Sequence, residues 1–321
     1  LRWPGNLAEI KRFSTTNPAN YIDLWLQATT HHKPRMLHVV HGIDNKGGVE
    51  LFTRQLLSNL GNDCHHTVLL PARISQHSTR RGTQSDQPFE ILELDQNNFP
   101  LDHRIFHLPA DLYQQPLDVH FKHVLEWGGF GHVHFHSMVG VGTAMWPQIC
   151  HTLGITYDLF LHDHSALCQI FSLSTTQHQQ EVYCGKTQAE PHSDTCQQCL
   201  ADKTQETKLT TESYMALRHK IWQQHINNAA QIQVCSDYLL HTLSLHFKEI
   251  ENRTVVINPS FAPSLVAPVS QPDPKALNVA FLGQFGVLKG AQLFIDLYHE
   301  LSNQTFNWHI IGGIDSRFKI Q

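Results

Sequence analysis

The stretch GITYDLFLHDHSALC, residues 154–168, decides how this chain folds. Residues 156–161 are mostly apolar or β-forming, and they run directly into His162, Asp163 and His164. A buried strand that ends abruptly in ionisable side chains is typical of a parallel sheet, in which ligands bind outside the carboxyl ends of the strands. We therefore predict that these three polar residues line a ligand cleft.

Two other predicted strands end in a similar way. Residues 36–40, MLHVV, lead to the pair Gly47 and Gly48, and residues 279–282 lead to a loop that contains Lys289. Glycine lets the backbone approach a ligand closely, and lysine supplies positive charge for an anion. The sequence therefore predicts a single cleft that is shared by three strand ends.

The glycine pair is a weak signal on its own. It precedes a predicted helix, residues 49–60, whose apolar residues recur at steps of three and four, and the free N–H groups at a helix start can bind an anion. The spacing is not GxGxxG, so it does not predict a dinucleotide site. The alternative explanation is a tight turn between a strand and a helix, without any ligand.

Strands alternate with helices along most of the chain. The predicted strands are residues 36–41, 67–70, 90–94, 132–136, 156–161, 232–235, 255–257, 278–282 and 308–311, and the predicted helices are residues 49–60, 117–127, 142–153, 212–228, 237–247 and 290–301. Such alternation builds a parallel sheet that is covered by helices on both faces. The predicted fold class is therefore α/β, with Rossmann-like units.

The composition is that of a globular chain of two domains. The 321 residues are 41% hydrophobic and 16% charged, which is enough apolar material for a core. A net charge of -5 gives no electrostatic reason to expect nucleic acid as a partner. The apolar runs are much shorter than the roughly 20 residues that cross a bilayer, and no signal-peptide pattern is present. We therefore predict a cytoplasmic location.

Changes in composition predict the domain boundaries. Residues 1–34 are a polar leader segment, and residues 35–262 form an N-terminal Rossmann-like domain that contains a long polar loop, residues 165–208. Residues 263–277 are rich in proline, as expected of an interdomain linker. Residues 278–321 contain about one further strand–helix unit, which we interpret as the start of a second Rossmann-like domain.

Histidine is unusually frequent, with 25 residues, and one group has a pattern that suggests metal binding. In HVHFH the residues His132, His134 and His136 alternate, so their side chains share one face of a strand. No carboxylate or other supporting partner is apparent in the sequence. We therefore favour the alternative, in which some of these histidines line the cleft and others fill polar niches.

The long loop contains four of the seven cysteines. Cys196 and Cys199 have the CxxC spacing of a zinc knuckle, and Cys168 and Cys184 would complete a four-thiolate site. A structural zinc ion there would hold an otherwise poorly ordered loop together. Free thiols or a disulfide are the alternatives, and no signal marks any of these cysteines as a catalytic nucleophile.

The order of these motifs resembles that of the family-4 glycosyltransferases, which are retaining enzymes with the GT-B fold. The matching segments are HVVHGIDNKGGVE (38–50), HFH (134–136), GITYDLFLHDHSALC (154–168), VCSDYLL (234–240), VVIN (255–258) and VAFLGQFGVLKG (279–290). The HD pair followed by a cysteine-containing loop is similar to the members that build cell-surface polysaccharides. The resemblance implies that the N-terminal domain binds the acceptor and that the C-terminal domain binds a nucleotide-diphosphate sugar.

The resemblance also implies roles for individual residues. Gly47 and Gly48 would approach the phosphates or the sugar of the donor, and His162 would contact the donor sugar near the reacting carbon. Asp163, the second residue of the HD pair, is assigned to the catalytic site with it. Lys289 would neutralise the leaving diphosphate, whose negative charge grows as the glycosidic bond breaks. Members of the family need no metal ion for this step.

The sequence departs from the family pattern in two places. Gln284 stands where the family usually has an arginine that grips the diphosphate, and an amide supplies no charge. The glutamate-bearing segment that holds the donor in the family would follow Gln321. We therefore expect a truncated C-terminal domain and no activity from this chain alone.

Three functions remain as hypotheses. The first is transfer of a sugar, with retention, from a nucleotide-diphosphate sugar to a saccharide or lipid-linked acceptor. A lipid-linked acceptor would bring the protein to the inner face of the membrane as a peripheral protein. The second is a non-catalytic module that binds the acceptor or acts as a scaffold. The third, a metal-dependent hydrolase, is the least favoured, because a cysteine-rich site is closed rather than open.

Overall fold

The computed structural model describes residues 33–42, 48–60, 63–71, 89–93, 117–137, 145–168, 170–177, 180–184, 196, 199–200, 210–259, 277–302 and 306–318. The chain divides into two compact units. The first consists of Leu1–Gln169 with Glu212–Pro259, and the second of Ile170–Thr211 with Ser260–Gln321. The predicted leader and linker fall almost wholly outside the described residues, and the predicted domain boundaries stay a prediction.

The first unit follows the α/β alternation. Its first elements are β1 (Arg35–Val39), α1 (Gly48–Asn59), β2 (His65–Pro71), β3 (Phe89–Glu93), α2 (Leu117–Gly128), β4 (Phe130–Phe135), α3 (Trp146–Thr152) and β5 (Thr156–Leu161). The next two strands, β6 (Ser174–Gln177) and β7 (Gln180–Tyr183), belong to the second unit. The chain then completes the first unit with α4 (Thr211–Asn228), β8 (Gln231–Val234), α5 (Asp237–Ser244) and β9 (Thr254–Val256). The strands form one seven-stranded sheet in the order β3-β2-β1-β4-β5-β8-β9. Six of them are parallel, and β3 runs antiparallel to β2 at the edge.

The strand order reverses at β1. This strand pairs with β2 on one side and with β4 on the other, so the chain winds outward in both directions from the β1–β4 pair. In open parallel sheets of this kind, ligands bind outside the carboxyl ends of the strands at the point of reversal. The sheet therefore confirms the predicted α/β class and has the arrangement of a Rossmann-like fold.

The two faces of the sheet differ in chemistry. Because side chains alternate along a strand, Leu37 and Val39 of β1 lie on one face, where they join the main apolar core with Val133 and Phe135 of β4. His38 points to the opposite face. That face carries a smaller apolar cluster of Val40, Leu57, Val68 and Leu70, and several histidines. One face of the sheet thus packs against the main apolar core. The other, which we call the mixed face, carries both apolar and histidine side chains.

The second unit contains a short α/β segment and a hairpin. β10 (Leu277–Leu282) pairs in parallel with β11 (Phe306–Ile311), and α6 (Ala291–Glu300) connects them. Strands β6 and β7 pair in an antiparallel arrangement. This hairpin lies within residues 165–208, the segment predicted as a long polar loop. Its strands are polar and lack an apolar period, which explains why the sequence pattern missed them.

The other predicted strands and helices are confirmed, with ends that shift by a few residues. The predicted helix at residues 142–153 is observed over Trp146–Thr152, and residues 142–144 lie outside the described part of the chain. Among the described residues, no helix has both the length and the apolar character that a membrane-crossing segment needs.

The buried side of α4 differs from its predicted one. The spacing of Tyr214, Leu217, Ile221 and Trp222 predicts that these four residues form the buried side of the helix. Leu217 is instead 47% exposed, whereas Ile226 is 1% exposed and Met215 is also buried. The last turn is fixed by Arg253, whose guanidinium donates to the carbonyl oxygens of Ile226 and Ala229 at 2.8 and 2.6 Å. These tertiary contacts, rather than the apolar period, set the rotation of the helix.

We predict that two alanine substitutions in α4 separate the observed helix face from the one expected from sequence. Ile226→Ala should lower the free energy of unfolding by about 2–5 kcal/mol, because it removes buried methylenes and leaves a cavity. Leu217→Ala should change it by less than about 0.5 kcal/mol, because that side chain is largely in water. Urea unfolding followed by circular dichroism measures both, and a larger loss for Leu217→Ala would contradict the observed packing.

Candidate functional site

The carboxyl end of β5 presents His162, as the sequence predicted. The strand ends at Leu161, and the imidazole that follows packs edge-on against Phe160 with ring centroids 3.9 Å apart. Phe52 of α1 lies on another side, with its ring centroid 5.2 Å from that of His162. This apolar environment disfavours the charged imidazolium, and burial lowers the pKa of His162 to about 3. His162 is therefore neutral at physiological pH.

One ring nitrogen of His162 has no hydrogen-bond partner among the described residues. This nitrogen, Nε2, is buried. A neutral imidazole has one N–H donor and one acceptor nitrogen, and a buried polar atom without a partner costs stability. A hydroxyl group of a ligand would satisfy this nitrogen. His162 therefore has the chemistry of a ligand-contacting residue at a strand end.

Asp163 has a structural role in the free protein. Its Oδ1 accepts a hydrogen bond of 2.8 Å from the backbone N–H of Ser165, and it caps the 3-10 helix His164–Ala166. The guanidinium of Arg218 donates to the carbonyl oxygen of Ser165. These contacts fix the backbone that follows His162, so Asp163 positions the turn at the mouth of β5.

The start of α1 lies at the end of β1. Gly48 is the first residue of the helix, and a Cβ atom placed there would meet nothing within 4 Å. In the first turn, the buried carboxylate of Glu50 is 3.1 Å from Nε2 of His41. Gly47 lies outside the described residues, so the predicted approach of the glycine pair to a phosphate stays a prediction.

Four buried histidines lie next to one another on the mixed face of the sheet, and we call them the histidine cluster: His38, His66, His134 and His136. Nδ1 of His38 is 3.2 Å from Nε2 of His136, and Nε2 of His38 is 3.0 Å from Nδ1 of His66. The rings of His134 and His136 stack with centroids 4.2 Å apart. Three strands thus contribute to one polar group inside the protein.

The backbone explains why these side chains meet. His38 and His134 are direct neighbours in the parallel register of β1 and β4. The N–H of His136 donates to the carbonyl oxygen of Val39 at 2.9 Å, which extends the pairing beyond the end of β4. Residues 134 and 136 are two apart, so both point to the same face as His38.

Burial keeps three members of the cluster neutral. It lowers the pKa of His134 to about 4, and it lowers the pKa of His38 and of His136 well below the usual value. Repulsion from neighbouring imidazoles acts in the same direction in each of these residues. The ring nitrogens that carry no proton are therefore available as acceptors or metal ligands at neutral pH.

His132 does not join this cluster, although it lies on the same strand. Its Nε2 is 3.0 Å from Oδ2 of Asp158, and its Nδ1 is 2.8 Å from the hydroxyl oxygen of Thr156. The sequence pattern grouped His132 with His134 and His136 and missed His38 and His66. Only the pairing of strands distant in sequence shows that β1 and β2 supply these two residues.

The second unit holds the two residues that the resemblance assigned to the diphosphate. Lys289 ends the 3-10 helix Val287–Lys289, directly before α6, and Gln284 lies in the loop after β10. Both side chains are exposed. Gly312 shapes this loop, because a Cβ atom there would be 1.9 Å from the carbonyl oxygen of Gly283.

No disulfide joins any of the seven cysteines, all of which the structure describes, so the disulfide alternative does not hold. Cys168 belongs to the first unit, and Cys184, Cys196 and Cys199 belong to the second. Within the described part of the chain, the only group of three or more side chains close enough to hold a metal ion is His38, His134 and His136. Zinc at the cysteines stays a prediction.

Comparison with known proteins gives no assignment. The chain matches no model of a known protein family, and no curated protein matches it. The functional argument therefore rests on the geometry of the sheet and on the chemistry of these residues.

We predict that acid destabilises the protein through His38, His134, His136 and His162, because burial lowers the pKa of each. These four are neutral when folded but protonated in the unfolded chain below pH about 6.5, so the unfolded state binds more protons and stability falls as pH falls. Between about pH 7.5 and about pH 5.5, the free energy of unfolding should drop by roughly 1 kcal/mol for each such histidine. Urea unfolding at the two pH values measures the drop.

The variant His134→Gln tests the assignment of this effect. It removes one of the groups that take up a proton on unfolding, so the pH dependence should become shallower by about one proton. His151→Gln, at an exposed position of α3, is the matched control and should leave the slope as it is. An unchanged slope in His134→Gln would show that the effect arises elsewhere.

Proposed function

We propose that the chain belongs to a retaining glycosyltransferase with the GT-B fold. It would transfer a sugar from a nucleotide-diphosphate sugar to a saccharide or lipid-linked acceptor, in the biosynthesis of a surface polysaccharide. The observation that carries the proposal is His162, a neutral imidazole at the end of β5 with a buried nitrogen that lacks a hydrogen-bond partner. The donor-binding and acceptor-binding roles of the two units are part of the proposal.

The chemistry of His162 suits a sugar. A hydroxyl group both donates and accepts hydrogen bonds, and a neutral imidazole offers one of each. A charged imidazolium beside the reacting carbon would oppose the positive charge that develops on the sugar ring as the glycosidic bond breaks. Burial against Phe52 and Phe160 prevents that charge at neutral pH.

Lys289 suits the leaving group. As the bond from the anomeric carbon to the phosphate oxygen breaks, the electron pair goes to the diphosphate, and a cation aimed at it stabilises the transition state. Lys289 is placed at the turn between β10 and α6, the position where Rossmann-like units bind phosphates. Gln284, in the same loop, adds hydrogen bonds without charge.

The experiment begins with calorimetric titration of the protein with a panel of nucleoside diphosphates and their sugars. One of them should bind, and Lys289→Ala should weaken its binding by about tenfold or more, because a charged hydrogen bond to phosphate is lost. Lys248→Ala removes another exposed lysine and is the matched control. Equal affinities of Lys289→Ala and the unaltered protein would remove Lys289 from the site.

A transfer assay with the donor that binds, carried out with a chain that includes the glutamate-bearing segment of the family, then tests His162. His162→Ala should lower kcat/KM by about tenfold to a hundredfold, since it removes one hydrogen bond made in the transition state. His151→Ala, at an exposed position of α3, should leave the rate unchanged.

The alternative is a non-catalytic module that binds an acceptor or acts as a scaffold. The neutral Gln284, in place of a cation, favours it. If no nucleotide or nucleotide sugar binds, but an oligosaccharide does, the module is supported and the transferase is not.

A further inference from the structure

The histidine cluster is the one group of potential ligands within the described residues that the proposed sugar transfer does not use. His38 lies on β1, and His134 and His136 follow on β4. These two strands form the point at which the strand order reverses. The ring of His136 is 6.3 Å from that of His162, so the cluster lies beneath the candidate site.

We propose that His38, His134 and His136 bind a divalent transition-metal ion, with zinc as the best fit. The ion would join β1 to β4 inside the first unit. The proposal is independent of the transfer of sugar, because no residue of the donor site takes part.

The distances support coordination. One ring nitrogen from each of the three histidines can be chosen so that all three lie within 4.8 Å of one another. Two nitrogens bound to one tetrahedral zinc ion, with bonds of about 2.0–2.1 Å, lie about 3.3 Å apart. Nδ1 of His38 and Nε2 of His136 are already 3.2 Å apart.

The hydrogen bonds of the cluster support it as well. A histidine that binds a metal through one nitrogen usually donates a hydrogen bond from the other. Nε2 of His38 is 3.0 Å from Nδ1 of His66, so His66 can hold the His38 ring in the orientation that directs Nδ1 toward the ion. His66 is a positioning residue in this arrangement.

The buried nitrogens without partners indicate that the protein alone does not satisfy the cluster. Nε2 of His134 is buried and makes no hydrogen bond with the described residues. Nδ1 of His38 and Nε2 of His136 share one hydrogen bond, which coordination would replace. An ion held by these two nitrogens can take Nε2 of His134 as its third ligand, and that nitrogen then gains a partner.

The ligand type selects the metal. Neutral imidazoles suit zinc, copper, nickel and iron, whereas magnesium and calcium require oxygen ligands. The nearest carboxylate on the neighbouring strand, Asp158, is engaged with His132. Three imidazoles leave a fourth position in a tetrahedral site for water or another ligand.

The test uses the protein without a polyhistidine tag, stripped of metal with a chelator and then titrated with zinc and with cobalt. One ion should bind per chain. The visible spectrum of the cobalt form should show a tetrahedral site, without the charge-transfer band of cobalt bound to thiolate. That spectrum separates the histidine site from the predicted cysteine site, and it requires no variant.

His134→Gln and His136→Gln should each weaken zinc binding by more than about a hundredfold, because loss of a direct ligand exceeds the tenfold to hundredfold effect of removing a supporting hydrogen bond. His132→Gln, on the same strand but paired with Asp158, is the matched control and should bind as before. Circular dichroism checks that each variant folds. If a variant does not fold, the cobalt spectrum of the unaltered protein still distinguishes a histidine site from a cysteine site.

Two results would overturn the proposal. One is the absence of stoichiometric zinc or cobalt binding to the unaltered protein. The other is a cobalt spectrum with thiolate charge transfer that His134→Gln leaves unchanged, which would place the ion at the cysteines. If neither zinc nor cobalt binds, we would conclude that the histidines form a hydrogen-bonded cluster without metal.

Discussion

The first unit depends on the burial of neutral imidazoles on one face of a parallel sheet. Burying a polar ring is favourable only when its nitrogens find partners and its charge is removed. The cluster meets the second condition, because burial lowers the pKa values of His38, His134 and His136. It meets the first only in part, since two of its ring nitrogens make no hydrogen bond with the described residues. This is one of the reasons that we propose a metal ion there.

The sheet converts this local chemistry into a site. β1 and β4 are the strands from which the chain winds outward, so residues that follow them meet in the crevice beyond their carboxyl ends. The apolar face, with Leu37, Val39 and Phe135, supplies a rigid core that fixes the register of the strands. On the other face the same register brings His38 beside His134. Packing of the apolar face thus fixes the strand register, and this register places the histidines of the other face next to one another.

His162 shows how one residue serves both structure and chemistry. Phe160, two residues earlier, lies on the same face of β5, and Phe52 comes from α1. The two phenyl rings remove water from the imidazole and keep it neutral, while the strand end keeps it at the cleft. Asp163, by contrast, is held by the turn that it caps. His162 therefore has a ring nitrogen that a ligand could use, whereas the carboxylate of the adjacent Asp163 already accepts a hydrogen bond from the protein.

The sequence by itself determined the elements and their class. Alternating apolar segments and helical periods located β5 at residues 156–161 and the polar mouth at His162, because these signals depend on neighbours in the chain. The tertiary structure decided which side chains from different strands and helices contact one another. It joined His38 to His136, separated His132 from them, turned Leu217 outward and paired β6 with β7. Register and helix rotation arise from packing between distant segments, which no local pattern of residues encodes.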